Sequence, residues 1–202
     1  MGELRESKKR ETRQRISDVA TALFFARGFE AVTVDEIAVA ANVAKVTVFN
    51  YFARKEELFL DRDDDLKLGF LRAALAQRTK GQPLKQVLDG VIDRLRAEKH
   101  PFVRFTDQTL GWWRVVAASP SLQARLREIW DEATEGVAVA LAGAAPDGVA
   151  RLAAGLIVLT FRTAHAEALR VCESGGSAKK ASALFGALID RGFAAASAMY
   201  PA

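Results

Sequence analysis

The spacing of apolar residues along this chain is helical almost throughout, and this feature restricts the possible folds most strongly. In the first segment, residues 8–27, apolar side chains recur at intervals of three and four, which places them on one face of a helix. No segment shows the strict alternation of apolar and polar residues, bounded by turn residues, that indicates a strand. The sequence therefore predicts an all-α protein. The apolar face of its first helix consists of Ile16, Val19, Ala20, Leu23 and Phe24.

The five prolines stand where a helix could begin or end, positions at which the missing N–H is tolerated. Together with short glycine- and serine-containing breaks they predict about nine helices. A length of 202 residues allows a small domain joined to a larger one. We assign residues 1–54 to a three-helix domain and residues 55–202 to a larger helical domain. The helices of the larger domain are predicted at about 55–80, 84–98, 102–118, 121–143, 147–173 and 178–199.

Composition narrows the class of protein. A single cysteine, Cys172, excludes an intramolecular disulfide framework and favours a reducing, cytoplasmic compartment. The first residues lack the apolar core of a signal peptide, and the longest apolar stretch, residues 153–161, is too short to span a bilayer. We therefore expect no membrane insertion. The net charge of +4 is compatible with nucleic-acid binding but does not establish it.

A helix-turn-helix is predicted between residues 33 and 52. Thr33 and Glu36 have the spacing of a capping box, in which each residue satisfies a free amide at a helix start. The short turn at residues 42–44 separates this helix from a third, expected at about residues 45–52. Three short helices with a tight turn between the second and third are typical of DNA-reading domains.

A projection of the third helix separates two faces of different chemistry. Val48, Phe49 and Phe52 gather on one side and are expected to pack inward. A recognition helix needs this division, because its back joins the core while its front enters a major groove. The opposite side carries Val46, Thr47, Asn50 and Tyr51, with Lys45 at the edge of the first turn.

The segment from Arg15 to Leu58 resembles the TetR family of bacterial repressors. The match covers less than a quarter of the chain, whereas the rest is similar to the family only in length and helical character. The resemblance implies an N-terminal DNA-binding domain followed by a helical regulatory and dimerisation domain. The matching residues are Ile16, Ala20, Leu23, Phe24, Gly28, Phe29, Thr33, Val34, Ile37, Ala38, Ala41, Val43, Thr47, Tyr51, Phe52, Lys55, Glu56, Glu57 and Leu58.

The resemblance also implies particular DNA contacts. Thr33 would donate a hydrogen bond to a phosphate beside the amides of the helix N-terminus. Simpler interpretations stay open, since Thr33 caps a helix with or without DNA, Tyr51 could be a half-buried packing residue, and Lys55 could be an ordinary solvated lysine. The other implied contacts are base edges for Lys45, Val46 and Thr47, bases or flanking phosphates for Asn50 and Tyr51, and a phosphate for Lys55.

Two departures from the family pattern bear on which operator sequence is bound rather than on whether the chain binds DNA. The family usually has tyrosine where this chain has Phe49, so a hydroxyl that often contacts a phosphate is lost. The second departure is the turn before the third helix, where the family often has Gly-Val-Ser followed by Lys-Gly or Arg-Gly and this chain has Asn42-Val43-Ala44-Lys45-Val46. Within it, Ala44 cannot cap the third helix through a side-chain oxygen. Val46 adds a branched apolar surface that could touch a thymine methyl group.

For the larger domain, the resemblance implies a small-molecule site among the central helices and a four-helix bundle with a second subunit. Aromatic walls with a few polar groups are what a ligand site needs, and the effector is expected to be hydrophobic. The same aromatic residues could equally be ordinary core, and the proposed dimer stripe an intramolecular one. The candidate ligand residues are Phe70, Phe105, Gln108, Trp112, Trp113, Phe161, Arg162 and His165; the candidate dimer residues are Leu184, Phe185 and Leu188.

The resemblance implies a regulator that binds palindromic operator DNA as a homodimer and is released by a small ligand. The alternative is a helical protein-interaction module whose DNA binding is degenerate. No motif of an enzyme is recognised, and no cofactor is expected. The acidic run of Asp61, Asp63, Asp64 and Asp65 is interpreted as a solvated helix face, because it lacks the glycine and terminal glutamate of a calcium loop. We therefore predict no metal site.

Overall fold

The computed structural model describes the backbone of residues 2–60 and 63–200, with side chains described at 6–60 and 65–200. Within these ranges the chain forms ten α-helices and two 3-10 turns, and no strand is present. The all-α prediction is confirmed. The helices are α1 (Gly2–Arg27), α2 (Val34–Ala40), α3 (Lys45–Tyr51), α4 (Asp63–Leu66), α5 (Gly69–Ala76), α6 (Leu84–Ala97), α7 (Asp107–Ala118), α8 (Pro120–Ala142), α9 (Gly148–Glu173) and α10 (Ala178–Met199).

The chain divides into two compact units. The first consists of Met1–Asp63 with Gly111–Leu126, and the second of Asp64–Leu110 with Arg127–Ala202. Helices α7 and α8 therefore each contribute residues to both units. The division differs from the predicted boundary at residue 54, because a later segment joins the N-terminal unit. An independent domain over residues 1–54 stays a prediction.

The core of the first unit is aromatic. Phe24 is fully buried at the predicted face of α1, and its ring lies 4.7 Å from that of Phe29, centroid to centroid. Phe59 adds an edge contact to Phe24 at 5.7 Å and stacks on Trp112 at 5.5 Å. Gly28 ends α1 with a φ of +83°, a conformation that a residue without Cβ adopts at little cost. These rings anchor the segment on which the helix-turn-helix is built.

The second unit is organised around the pairing of α9 with α10, against which α6 also packs. Gly192 allows the two long helices to approach closely, because a Cβ there would lie 2.0 Å from Thr160 Oγ1. Phe161 and Phe193 fill the space beside this contact, with ring centroids 5.6 Å apart. The buried face of α10 consists of Ala181, Phe185, Ile189, Phe193 and Ala196.

The predicted helix at residues 55–80 is wrong. A 3-10 turn at Lys55–Leu58 is followed by the short α4 and then by α5, and Leu68 between them has a left-handed φ of 55°. The predicted helix at 102–118 likewise begins late, at Asp107. A 3-10 turn at Pro101–Val103 precedes it. The apolar spacing continues through these breaks, so periodicity alone predicts one helix where tertiary packing selects several.

Helix α9 is long and apolar enough to cross a membrane by length and composition, contrary to the estimate based on residues 153–161. Half of its most apolar window is buried inside the protein, which is typical of a core helix. The acidic run is only partly described, because Asp61 and the side chains of Asp63 and Asp64 lie outside the described residues. Asp65 is partly buried, with Oδ1 at 3.6 Å from His100 Nε2.

Candidate nucleic-acid interface

Helix α2 begins with the predicted capping box. Thr33 Oγ1 accepts from the Glu36 amide at 3.2 Å, and the Thr33 amide donates to Glu36 Oε2 at 2.8 Å. The same carboxylate accepts from the Thr33 hydroxyl at 2.9 Å and from Arg27 at 2.7 Å. The hydrogen bond from the Thr33 amide, followed by that from Arg27, lowers the pKa of Glu36 to about 2. The Thr33 hydroxyl proton is thus already used within the chain.

A tight turn joins α2 to α3. Asn42 adopts a left-handed φ of 52°, which asparagine tolerates better than most residues. The Val43 amide donates to Ala38 O at 2.9 Å and closes the turn. Ala44 is the N-cap residue of α3 and makes no side-chain hydrogen bond, as its chemistry requires. The order of helix, short turn and helix corresponds to the predicted helix-turn-helix.

The faces of α3 are divided largely as predicted, with one correction. Val48 and Phe52 are almost completely buried, and the Arg13 guanidinium lies 4.6 Å from the centre of the Phe52 ring. Phe49, predicted to pack inward, is 45% exposed. At roughly 100° per residue Phe49 stands at the edge of the face that Val48 and Phe52 share, and this seven-residue helix buries only that narrow face. Val46, on the opposite side, is 65% exposed.

Lys45 stands at the start of α3, where it forms an ion pair that sequence analysis missed. Its Nζ lies 2.8 Å from Asp35 Oδ2, and both side chains are more than half exposed. Asp35 lies in the first turn of α2, where a carboxylate is favoured by the helix dipole. The ten-residue separation has no helical periodicity, so only the folded turn brings the two charges together. Asp35 therefore belongs to the same surface as the predicted base-reading residues.

The remaining predicted DNA contacts differ in exposure. Asn50 is exposed, whereas Thr47 and Tyr51 are half-buried. Lys55 is not an ordinary solvated lysine, because its side chain is half-buried and its ammonium group contacts Phe29. Its Nζ donates to Phe29 O at 2.6 Å and lies 4.2 Å from the centre of the Phe29 ring. Burial lowers the pKa of Lys55, against the opposing effect of Glu30 and other carboxylates.

Glu30, which follows α1, connects that helix to the turn between α7 and α8. It accepts from Ser119 Oγ at 2.5 Å and from Ser121 Oγ at 2.8 Å, and these hydrogen bonds lower its pKa. Ser119 is 1% exposed and its hydroxyl oxygen also accepts from the Leu122 amide at the start of α8. A cleft of about 360 Å³ lies beside these residues and is also lined by Arg114. No spacing in the sequence relates Glu30 to residues almost ninety positions later.

The candidate ligand residues are divided between the two units. The second unit contains a buried aromatic cluster in which the rings of Phe70 and Phe161 are 6.3 Å apart and those of Phe105 and His165 are 6.2 Å apart. Gln108 and Arg162 are exposed. Trp112 and Trp113 belong to the first unit, where their rings contact each other at 4.8 Å.

His165 is the most constrained member of this cluster. It is 3% exposed, its Nδ1 lies 2.9 Å from Phe161 O, and its Nε2 lies 2.7 Å from Phe102 O. Burial lowers its pKa more than the two neighbouring carbonyl groups raise it. The ring is thus held as a core group, the simpler of the two interpretations that the sequence allows.

The predicted dimer stripe needs a correction. Phe185 is 1% exposed and packs on Phe105 and His165 of the same chain, so it is not available to a second subunit. Leu184 and Leu188 are half-buried. An exposed apolar stripe occurs instead on α9, where sequence analysis did not place it, although its spacing of three and seven residues is visible in the sequence. Its members are Val149, Leu152 and Leu159, which are 47%, 62% and 53% exposed.

Comparison with known proteins agrees with this architecture. Residues 16–61 match the sequence model of the family described as bacterial regulatory proteins, tetR family. The transcriptional regulator TcmR of Streptomyces glaucescens is 39% identical over 97 residues, which are 46% of this chain and 42% of that protein. MftR of Mycobacterium tuberculosis, assigned as a regulator of mycofactocin biosynthesis, is 37% identical over 130 residues, 60% of each chain. The chain spans about half the length of these relatives.

Solved structures share the fold over most of the chain. NalD of Pseudomonas aeruginosa, the secondary repressor of a multidrug efflux pump, aligns with a TM-score of 0.54 and 18% identity over 92% of this chain and 97% of its own. The SmeT–triclosan complex aligns with a TM-score of 0.57 and 18% identity over 92% of this chain and 91% of its own. At these identities the likeness concerns the fold alone.

Proposed function

Because the chain belongs to the TetR family of bacterial regulatory proteins, we propose that it is a cytoplasmic transcriptional repressor that binds palindromic operator DNA as a homodimer. The observation that carries the proposal is the division of α3. Val48 and Phe52 fix the helix to the core, whereas Val46 and Asn50 project from its opposite side. A short helix anchored by its back, with small side chains in front, suits insertion into a major groove.

The surface around α3 supports the DNA-binding part of the proposal. Helix α2 begins directly after its exposed N-cap residue, Thr33, so the amides of its first turn can approach a phosphate. Lys45 can exchange its partner Asp35 for a phosphate, because an exposed ion pair is worth at most about 1 kcal/mol. Lys55, by contrast, would act mainly by holding Phe29 in place, with its remaining N–H groups available to a phosphate.

A second copy of the chain is the proposed occupant of the stripe formed by Val149, Leu152 and Leu159. These side chains repeat along one face of α9, and α10 beside it exposes alanines that allow another helix to approach. A twofold dimer presents two recognition helices to two half-sites about one DNA turn apart, which requires an operator with matching symmetry. Leu184 and Leu188 on α10 are proposed to flank this interface.

For the effector we propose a small hydrophobic molecule that binds near the aromatic cluster of the second unit. The SmeT structure contains triclosan, so a protein of this fold accommodates an aromatic ligand. In this chain Phe70 is half-buried beside the buried Phe102 and Phe161, which offers an apolar wall that a ligand could share. The exposed Gln108 and Arg162 are proposed as polar groups at its border.

Release of the operator is proposed to follow from a shift between two states of the dimer. A ligand that prefers one state can change DNA affinity only by the difference in its affinity for the two. We propose that α7 transmits the effect of the ligand to the DNA-binding unit, because this helix starts in the second unit and ends in the first. Its last turn is followed by Ser119, which donates to Glu30 beside α1.

Selection of random duplex DNA with the purified protein tests the proposal. We expect an enriched palindrome whose half-sites are separated by about one helical turn. Asn50→Ala should lose enrichment at one position of each half-site, whereas Gln86→Ala, which removes an exposed amide from α6, should select the same sequence as the unaltered protein. If the folded dimer enriches no sequence, the DNA-binding proposal fails and the interaction-module alternative is favoured.

A further inference from the structure

The exposed surface of α3 carries little charge for a surface proposed to read DNA. Its sequence, KVTVFNY, contains one charged residue, Lys45, whose ammonium group lies 2.8 Å from Asp35. Val46 is 65% exposed and Phe49 is 45% exposed. Asn50, which is also exposed, supplies a side-chain amide on the same side of the helix as Val46. An isolated exposed valine is ordinary on a protein surface, but here it stands opposite the buried Val48.

The chemistry of these side chains restricts what they can recognise. Guanine is most often read by arginine or lysine, which donate to its O6 and N7. The single cation of α3, Lys45, stands in its first turn beside Asp35 and is proposed to exchange this partner for a phosphate, whereas Val46 can neither donate nor accept a hydrogen bond. The major groove offers such a side chain one apolar group on a standard base, the C5 methyl group of thymine. Asn50 suits adenine, whose N7 and N6 pair with an amide.

We propose that Val46 reads a thymine methyl group and Asn50 an adjacent adenine, so that the bases facing α3 in each half-site are A·T pairs. This inference rests on the proposed function and names the chemistry of its DNA target. Val46 and Asn50 are four residues apart and lie within about 40° of each other around the helix axis. One turn of helix therefore presents both groups to neighbouring base pairs, with Val46 nearer the N-terminus of α3.

The test compares the selected operator with a matched operator in which the thymine is replaced by deoxyuridine. Deoxyuridine keeps the base pair and every hydrogen-bonding group and removes only the methyl group. The unaltered protein should bind the deoxyuridine operator about fourfold more weakly for each half-site, the value of one buried methyl group. The dependence of affinity on salt concentration should not change, because no phosphate contact is lost.

The variant Val46→Ala tests whether Val46 causes the preference for the thymine operator over the deoxyuridine operator. This variant should bind the thymine and deoxyuridine operators with equal affinity, because it no longer reaches the methyl group. Val139→Ala, which shortens an exposed valine on α8, should keep the full difference. Circular dichroism checks that each variant retains its helix content.

Failure of this inference can be distinguished from failure of the proposed function. If the protein enriches no sequence, the proposed function fails. If it enriches an operator that it binds equally with thymine or deoxyuridine at every position, the methyl-reading role is wrong while operator binding stands. Val46 is also the wrong residue if Val46→Ala retains the same preference for thymine as the unaltered protein.

Discussion

At the scale of single residues, the ion pair between Asp35 and Lys45 places a negative charge on the surface proposed to meet DNA. Replacing Asp35 by asparagine should strengthen binding to all DNA sequences, because one repulsive charge is removed and Lys45 is released. The slope of log affinity against log salt concentration should steepen by roughly one per subunit. Fluorescence anisotropy over a series of salt concentrations measures both changes.

Asp190→Asn is the matched control for this prediction. Asp190 is an exposed carboxylate paired with Lys85 at 2.7 Å, and it belongs to α10 of the second unit. Its removal changes the net charge of the chain by the same amount. If the two variants gain DNA affinity equally, net charge explains the effect and Lys45 does not contact DNA.

The buried His165 should make the free energy of unfolding depend on pH. Burial lowers its pKa in the folded protein below the ordinary 6.5, so the unfolded chain takes up a proton first as the pH falls. The stability that the neutral ring contributes is complete above pH 6.5 and is lost progressively below it, by at most about 1.4 kcal/mol per pH unit. Urea unfolding at several pH values between 5 and 7, at fixed protein concentration, measures this slope.

His165→Gln keeps a neutral donor and removes the titration. It should flatten the pH dependence between 5 and 7 relative to the unaltered protein, whatever its effect on absolute stability. His100, which lies 3.6 Å from Asp65, is present in both proteins and cancels in the comparison. Identical slopes for the two proteins would mean that His165 does not titrate differently on unfolding.

At the scale of elements, the contact between α9 and α10 depends on Gly192. A Cβ at this position would lie within 2.6 Å of three atoms of the buried Thr160 side chain. Gly192→Ala should therefore destabilise the protein by about 1–3 kcal/mol through overpacking, even though alanine is the better helix former. Urea unfolding followed by circular dichroism measures the change in the free energy of unfolding.

Gly90→Ala tests the same substitution without the steric cost. Gly90 is an exposed residue inside α6, and a Cβ there would meet nothing within 4 Å. This variant should gain up to about 1 kcal/mol from helix propensity. If Gly192→Ala stabilises the protein as much as Gly90→Ala does, the helices separate easily and the close approach is unimportant.

At the scale of the whole molecule, the apolar stripe of α9 predicts the state of association. Leu159→Glu places a charge in the proposed interface and should convert the dimer to a monomer, since burying an unpaired carboxylate is costly. The monomer should bind the operator much more weakly than the dimer, because the two half-sites are no longer joined. Sedimentation velocity and operator titration measure the two effects.

Val139→Glu is the control for this prediction. Val139 is 40% exposed on α8, outside the proposed interface. It should leave both the sedimentation coefficient and the operator affinity unchanged. A Leu159→Glu protein that stays dimeric would place the interface elsewhere, and the half-buried Leu184 and Leu188 would then be the next residues to replace.

The sequence by itself determined the helices that carry the surface proposed to read DNA, because these helices depend on local chemistry. The capping box at Thr33, the short turn before α3 and the buried pair Val48 and Phe52 depend on residues within one or two turns of each other. The same local rules predicted the helices of the C-terminal half to within a few residues, from α8 to α10. Periodicity and capping are sufficient wherever neighbours in sequence are also the neighbours that matter.

Tertiary structure alone decided which side chains meet across long separations. It brought Asp35 to Lys45 across the turn, set Ser119 beside Glu30, and buried Phe185 while Leu159 stayed exposed. It also broke the apolar pattern of residues 55–80 into separate short elements. A helical pattern shows that a face is apolar, but not whether another helix of the same chain covers it, because that depends on how distant segments pack.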